Sequence, residues 1–146
     1  MKKWTIVMMC LVALFTQTAR ADEGKLIPVT QLPVAAQQWL RLHFAESKVT
    51  LAKVENDFLS KSYEVLFADG NHVEFDSKGN WEEIDCKTSE VPEAVIPDPI
   101  LEYVRDNYPD ATVVKLKKDR REYEVDLSNR IELTFDLDFR LVDIDR

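Results

Sequence analysis

Tyr63-Glu64-Val65-Leu66-Phe67-Ala68-Asp69-Gly70-Asn71-His72-Val73-Glu74-Phe75-Asp76 is the stretch from which the fold follows. Two runs of period two flank Asp69-Gly70, the signature of a β-hairpin. A two-residue loop would place Tyr63, Val65 and Phe67 on the same face as Asp76, Glu74 and His72, mixing apolar with charged groups. A three-residue loop with Gly70 left-handed sets Phe67 opposite Asn71, Val65 opposite Val73 and Tyr63 opposite Phe75. Every apolar side chain then falls on one side, so the three-residue loop is the expected one.

The same message is written a second time. Tyr123-Glu124-Val125, Phe135-Asp136 and Ile144-Asp145 repeat Tyr63-Glu64-Val65, Phe75-Asp76 and Ile84-Asp85 at a constant offset of 60 residues. Pro33, Trp39 and Phe44 are answered by Pro97, Tyr103 and Tyr108 at an offset of 64. Such self-similarity predicts two copies of one structural unit. Ser128-Asn129-Arg130 gives the second hairpin the same register without a glycine, so a residue with a side chain must adopt the turn.

Working outward, Ala35, Ala36, Trp39, Leu40 and Phe44 recur at helical spacing, as do Ile100, Leu101, Val104 and Tyr108. Asp98-Pro99 supplies a capping side chain and a proline at the first helical position, and Pro109 ends the second helix. The aromatics Trp39, Phe44, Tyr103 and Tyr108 are expected in the core. Strands are predicted at Val49 to Val54, Tyr63 to Phe67, Val73 to Phe75 and Trp81 to Ile84. Their counterparts run from Val113 to Leu116, Tyr123 to Leu127, Ile131 to Phe135 and Leu141 to Ile144. The expected fold class is α+β, two tandem helix-plus-four-strand repeats. The segments are a signal peptide at 1–21, a leader at 22–31, a first repeat at 32–86, a linker at 87–95 and a second repeat at 96–146.

The signal peptide is read from Lys2 and Lys3, the apolar run Trp4 to Phe15, and Ala19-Arg20-Ala21 as a cleavage site. That run is too short for a membrane anchor. Cleavage removes Lys2, Lys3, Arg20 and Cys10, leaving 125 residues with 16 basic and 27 acidic side chains, a net charge of −11. Nucleic acid is an unsuitable partner for such a chain. Cys86 then stands alone, so no intramolecular disulfide forms, and a small buried hydrophobe is its expected role.

With the register chosen, the other sheet face carries Glu64, Leu66, His72, Glu74 and Asp76 from the first repeat. The second adds Glu122, Glu124, Asp126, Glu132, Thr134 and Asp136. Keeping Ile84 and Ile144 inward sends Trp81 and Leu141 outward, so this acidic face also holds an aromatic and an aliphatic group. An exposed Trp among polar groups is a common interface anchor. The candidate partner-binding set is therefore Leu66, Glu74, Asp76, Trp81, Glu124, Asp126 and Leu141.

Catalytic chemistry finds little support. His43 and His72 lack zinc-motif spacing, and there is no glycine-rich phosphate loop. A Cys86 thiolate with His72 as base is opposed by parity, since Cys86 goes inward with Ile84 while His72 goes outward. Short loops such as Asp76-Ser77-Lys78-Gly79-Asn80 do not match the twelve-residue calcium loop. No cofactor and no metal ligand set is predicted.

Leu32-Pro33 before a short helix, Tyr-Glu-Val, Asp69-Gly70, Val73-Glu74-Phe75-Asp76, Gly79 and Trp81 together resemble the PepSY-like secreted proteins described as similar to β-lactamase inhibitor protein. The resemblance implies one curved antiparallel sheet with helices packed on one face and the concave face open to a partner. It also implies a periplasmic or secreted protein with no catalytic site, acting as a binding or inhibitory module. The second repeat departs from the pattern at both glycine positions, where Arg130 and Phe139 stand.

The expectation is an exported, non-enzymatic binding module, an inhibitor or regulator of an envelope or secreted protein such as a hydrolase or protease. An envelope cation-binding or stress-response protein using the surface carboxylates is the alternative, and a thiol enzyme using Cys86 is a third reading. Oligomeric state is left open by the sequence.

Overall fold

The structure, a computed structural model, describes residues 24–146; the signal peptide expected at 1–21 lies outside them. Nine strands form one antiparallel sheet in chain order, β1 (Lys25–Ile27), β2 (Val49–Asn56), β3 (Lys61–Phe67), β4 (His72–Asp76), β5 (Trp81–Asp85), β6 (Val113–Lys118), β7 (Glu122–Leu127), β8 (Glu132–Asp136) and β9 (Leu141–Asp145). Helices α1 (Val34–His43) and α2 (Asp98–Asn107) precede β2 and β6. The α+β class therefore holds. β1 was not foreseen: Lys25–Ile27, within the segment read as a leader, pairs with Ala52–Val54 at the sheet edge.

Both central hairpins have the expected register. Tyr63 faces Phe75 and Val65 faces Val73, while Tyr123 faces Phe135 and Val125 faces Leu133. Gly70 takes φ 87°, and in the second hairpin Arg130 takes the same left-handed region at φ 69°. The odd–even alternation buries Val65, Val73, Phe75, Ile84, Leu116, Val125, Leu133 and Phe135 almost completely. Ala36 and Leu40 of α1 and Ile100 and Val104 of α2 join them in one core on one side of the sheet. Trp39 packs edge-on against Phe75, and Tyr103 repeats that contact with Phe135. Trp39, Phe44, Tyr103 and Tyr108 flank this core, partly buried.

Asp98 is a correction. It lies inside α2 as its first residue and makes no side-chain capping bond, Pro97 occupying the cap position. Its charge still suits the positive helix end. Segment 87–95 is clamped to β6, with the Cys86 and Val91 amides donating to the Val114 and Val113 carbonyls.

Candidate functional site

The helices cover one side of the sheet, and the opposite side carries two rows of register neighbours. One row runs Lys53, Glu64, Glu74, Glu83, Lys117, Glu124, Thr134 and Asp143 across β2 to β9. The next runs Leu51, Leu66, His72, Asp85, Lys115, Asp126, Glu132 and Asp145. Period two brings alternate residues of each strand to this face, and antiparallel pairing lines them up across strands.

Four of the sequence-predicted residues, Leu66, Glu74, Glu124 and Asp126, stand on this face, all half-buried. Asp76 lies at its end, where the carboxylate accepts hydrogen bonds from the amides of Lys78 and Asn80 and from the Asn80 side chain at 2.9 to 3.1 Å. Burial pushes its pKa up, but the bonds from Asn80 and the Lys78 and Gly79 amides outweigh this and hold it below the usual value. Asp136 accepts the equivalent amide bonds from Asp138 and Arg140. These two acids build hairpin turns.

Trp81 and Leu141 do not point to the acidic face as parity had suggested. Trp81 pairs with Phe75 and Leu141 with Phe135, and both pack against the core. The cause is a β-bulge in each strand: Glu82 and Val142 are extra residues between pairs that step by one on the partner strand, and an extra residue reverses parity. Trp81 instead lines an open cleft of about 1460 Å³ at the hairpin end of the sheet, with Trp39, Leu59, Gly79, Lys118 and Leu137.

His72 is the centre of the open face. Its Nε2 lies 3.6 Å from Glu83 Oε1 and its Nδ1 lies 3.9 Å from Asp85 Oδ2. Glu83 raises the imidazole's pKa against the lowering effect of burial, with Asp85 adding to the rise. Glu83 is in turn held at about 2 by His72 foremost, helped by Lys115 Nζ at 3.1 Å and opposed by burial. Burial lowers the Lys115 pKa, but Glu83 more than compensates, and the net shift is upward. Glu74 makes no side-chain hydrogen bond or ion pair among the described residues; burial first and Glu83 second push its pKa up. The Asp126 pKa is also raised, by burial and by Asp85 against the opposing Lys115.

The sequence reading missed Glu83 and Asp85, whose alternation with inward Ile84 already placed them here. It also missed Lys53, Lys115 and Lys117, which temper the acidity. Cys86 is buried on the other side, away from His72, and burial raises its pKa. No thiolate and base pair forms between them.

Residues 61–143 match the family described as "Putative beta-lactamase-inhibitor-like, PepSY-like". The chain belongs to the PepSY-like family. Three solved structures similar to this PepSY-like chain come from Bacteroides. One from Bacteroides thetaiotaomicron, described as a "putative calcium-regulated periplasmic protein", is 61% identical with a TM-score of 0.84, over 86% of this chain and 99% of that one. A "putative periplasmic protein" from Bacteroides vulgatus is 50% identical with a TM-score of 0.84 over the same shares. A second Bacteroides vulgatus protein, of unknown function, is 40% identical with a TM-score of 0.77, over 82% of this chain and 95% of that one. No curated protein matches the chain. Among the described residues no helix is long and apolar enough to cross a membrane.

Proposed function

We propose that this PepSY-like chain is an exported, non-enzymatic binding module of the periplasm, a tandem of two helix-plus-four-strand units whose uncovered sheet face contacts a protein. A hydrolase or protease is the partner class that an inhibitor-like family suggests. The observation that carries the reading is the pair of charged rows, which no helix covers. Leu66, Glu74, Glu124 and Asp126 are the proposed contacts on that face. A partner reaching over the hairpin end of the sheet would meet Trp81 in its cleft, with Leu141 on the matching strand.

The test is capture of a partner from the periplasm by wild type and by the double variant Glu124→Lys, Asp126→Lys. Charge reversal is expected to abolish capture; the new lysines face Lys117 and Lys115, so some fall in melting temperature is expected too, and capture is compared well below it, where circular dichroism shows both proteins folded. Equal recovery of the same partner by both proteins would remove the second unit's acids from the interface.

A second reading is favoured by the description of the Bacteroides thetaiotaomicron relative as calcium-regulated, together with the carboxylates around His72. Here a bound cation governs the module. A rise in melting temperature on adding calcium supports this reading, and an unchanged melting curve removes it.

A further inference from the structure

Glu64, Glu74 and Glu83 are direct neighbours on three adjacent strands, an arrangement that like charges make costly. The flanking cations serve only the outer two. Lys115 sits on Glu83, and Lys53 Nζ comes within 3.8 Å of Glu64. Glu74, in the middle, has neither. The second unit has nothing like this, since Glu132 and Thr134 stand where the first has His72 and Glu74.

One side chain changes the chemistry of the cluster from acidic to mixed. Donor atoms of Glu64, His72 and Glu74 lie within 4.8 Å of one another, as do those of His72, Glu83 and Asp85. Each set has one lysine beside it, Lys53 on Glu64 and Lys115 on Glu83, but only the first contains a carboxylate, Glu74, with no ion-pair partner among the described residues. Calcium takes six to eight oxygens, whereas an imidazole nitrogen suits zinc and neighbouring d-block ions. Zinc–nitrogen and zinc–oxygen bonds of about 2.0–2.2 Å put tetrahedral donors roughly 3.3 Å apart. Donors that now lie within 4.8 Å of one another would close to that spacing on binding.

The geometry points to a binding site for a zinc-class divalent ion on His72, Glu74 and Glu64, with the fourth position open to water or to a group on a partner. Whichever ring nitrogen binds the ion, the other keeps a carboxylate beside it, Glu83 at 3.6 Å or Asp85 at 3.9 Å. Closing by a few tenths of an ångström would make this a hydrogen bond, giving the carboxylate–histidine–metal arrangement that fixes the ring and strengthens it as a donor. Glu83 and Asp85 are therefore positioning residues. The site differs from a calcium site in its donor class, and it stands independently of whether the face binds a protein.

Calorimetric titration of the full mature chain with zinc chloride and, separately, calcium chloride tests the assignment. Wild type should bind one zinc ion. His72→Gln should lose more than the roughly 10- to 100-fold that removing an outer partner costs, and Glu83→Gln should fall within that range. His43→Gln, at the end of α1, should bind as wild type does. Zinc affinity unchanged in the folded His72→Gln protein, or lost in His43→Gln, overturns the site. Heat with calcium and none with zinc overturns the metal class and leaves the calcium reading standing. Partner capture repeated with a chelator present reports separately on the binding-module reading.

Discussion

His72 and Glu83 set one another's protonation, and the pH dependence of stability follows from the two shifts. The raised His72 pKa contributes stability that is complete below its unfolded value of 6.5 and is lost as pH climbs through the folded value. The depressed Glu83 pKa contributes stability that is complete above 4.5 and is lost as pH falls toward about 2. Wild type should therefore exceed Glu83→Gln in stability most between pH 4.5 and 6.5, as measured by urea unfolding across pH. At about pH 9 the gap should narrow to what Lys115 alone sustains. Proton-detected titration of Glu83→Gln should also find the His72 pKa moved toward its ordinary value. A stability gap that does not vary with pH would show that the pair is not coupled. Cys86, 1% exposed, makes a second residue-scale case. Burial suppresses both its thiolate and its access, so iodoacetamide should label it only at the rate of unfolding. Rapid labelling of native protein would return the thiol to consideration as a reactive group.

Hairpin turns are where the elements record conformational strain. Gly79 takes φ 88°, and an added Cβ would lie 2.8 Å from the Ala36 backbone nitrogen and 2.9 Å from the Pro33 Cβ. Gly70 has φ 87° with nothing within 4 Å of such a Cβ. Gly70→Ala should thus cost only the left-handed backbone term, about 1–2 kcal/mol, and Gly79→Ala distinctly more because α1 must shift. Arg130 is exposed at φ 69°, and Arg130→Gly should gain up to about 1 kcal/mol, the backbone relief less the extra chain entropy of glycine. Phe139 has φ 63° but packs against Tyr123 at 5.4 Å, so Phe139→Gly should lose stability despite the same relief. Denaturant midpoints of the four variants test the ranking. The hairpin registers were legible because one-sided burial permits a single pairing of Tyr63-Val65-Phe67 with Val73-Phe75. The bulges at Glu82 and Val142 were not, since parity counting assumes that no residue is extra. That assumption turned Trp81 and Leu141 to the wrong side. β1 escaped because three residues carry too short a pattern to read.

At the scale of the whole molecule, the join between β5 and β6 matters most. Ile84 faces Leu116 there, both fully buried, while Glu83 faces Lys117 and Asp85 faces Lys115. One core and one sheet thus run through both proposed units. The charged rows depend on the same join, because the lysines of β6 reach the carboxylates of β5 only across it. This is why the acids of the open face were legible in each hairpin while their neutralising lysines were not: that contact joins segments some thirty residues apart in the chain. A continuous core predicts cooperative unfolding of both halves. Trp39 and Trp81, the tryptophans of the described residues, both lie before residue 87, so tryptophan fluorescence follows the first half while far-ultraviolet circular dichroism follows both. The two probes should give coincident urea transitions. Leu116→Ala, made in the second half, should destabilise the protein by about 2–5 kcal/mol and move the fluorescence midpoint together with the dichroism midpoint. If instead the fluorescence transition holds its wild-type position while the dichroism splits, the halves fold independently, and a partner gripping the open face would find two hinged surfaces in place of one.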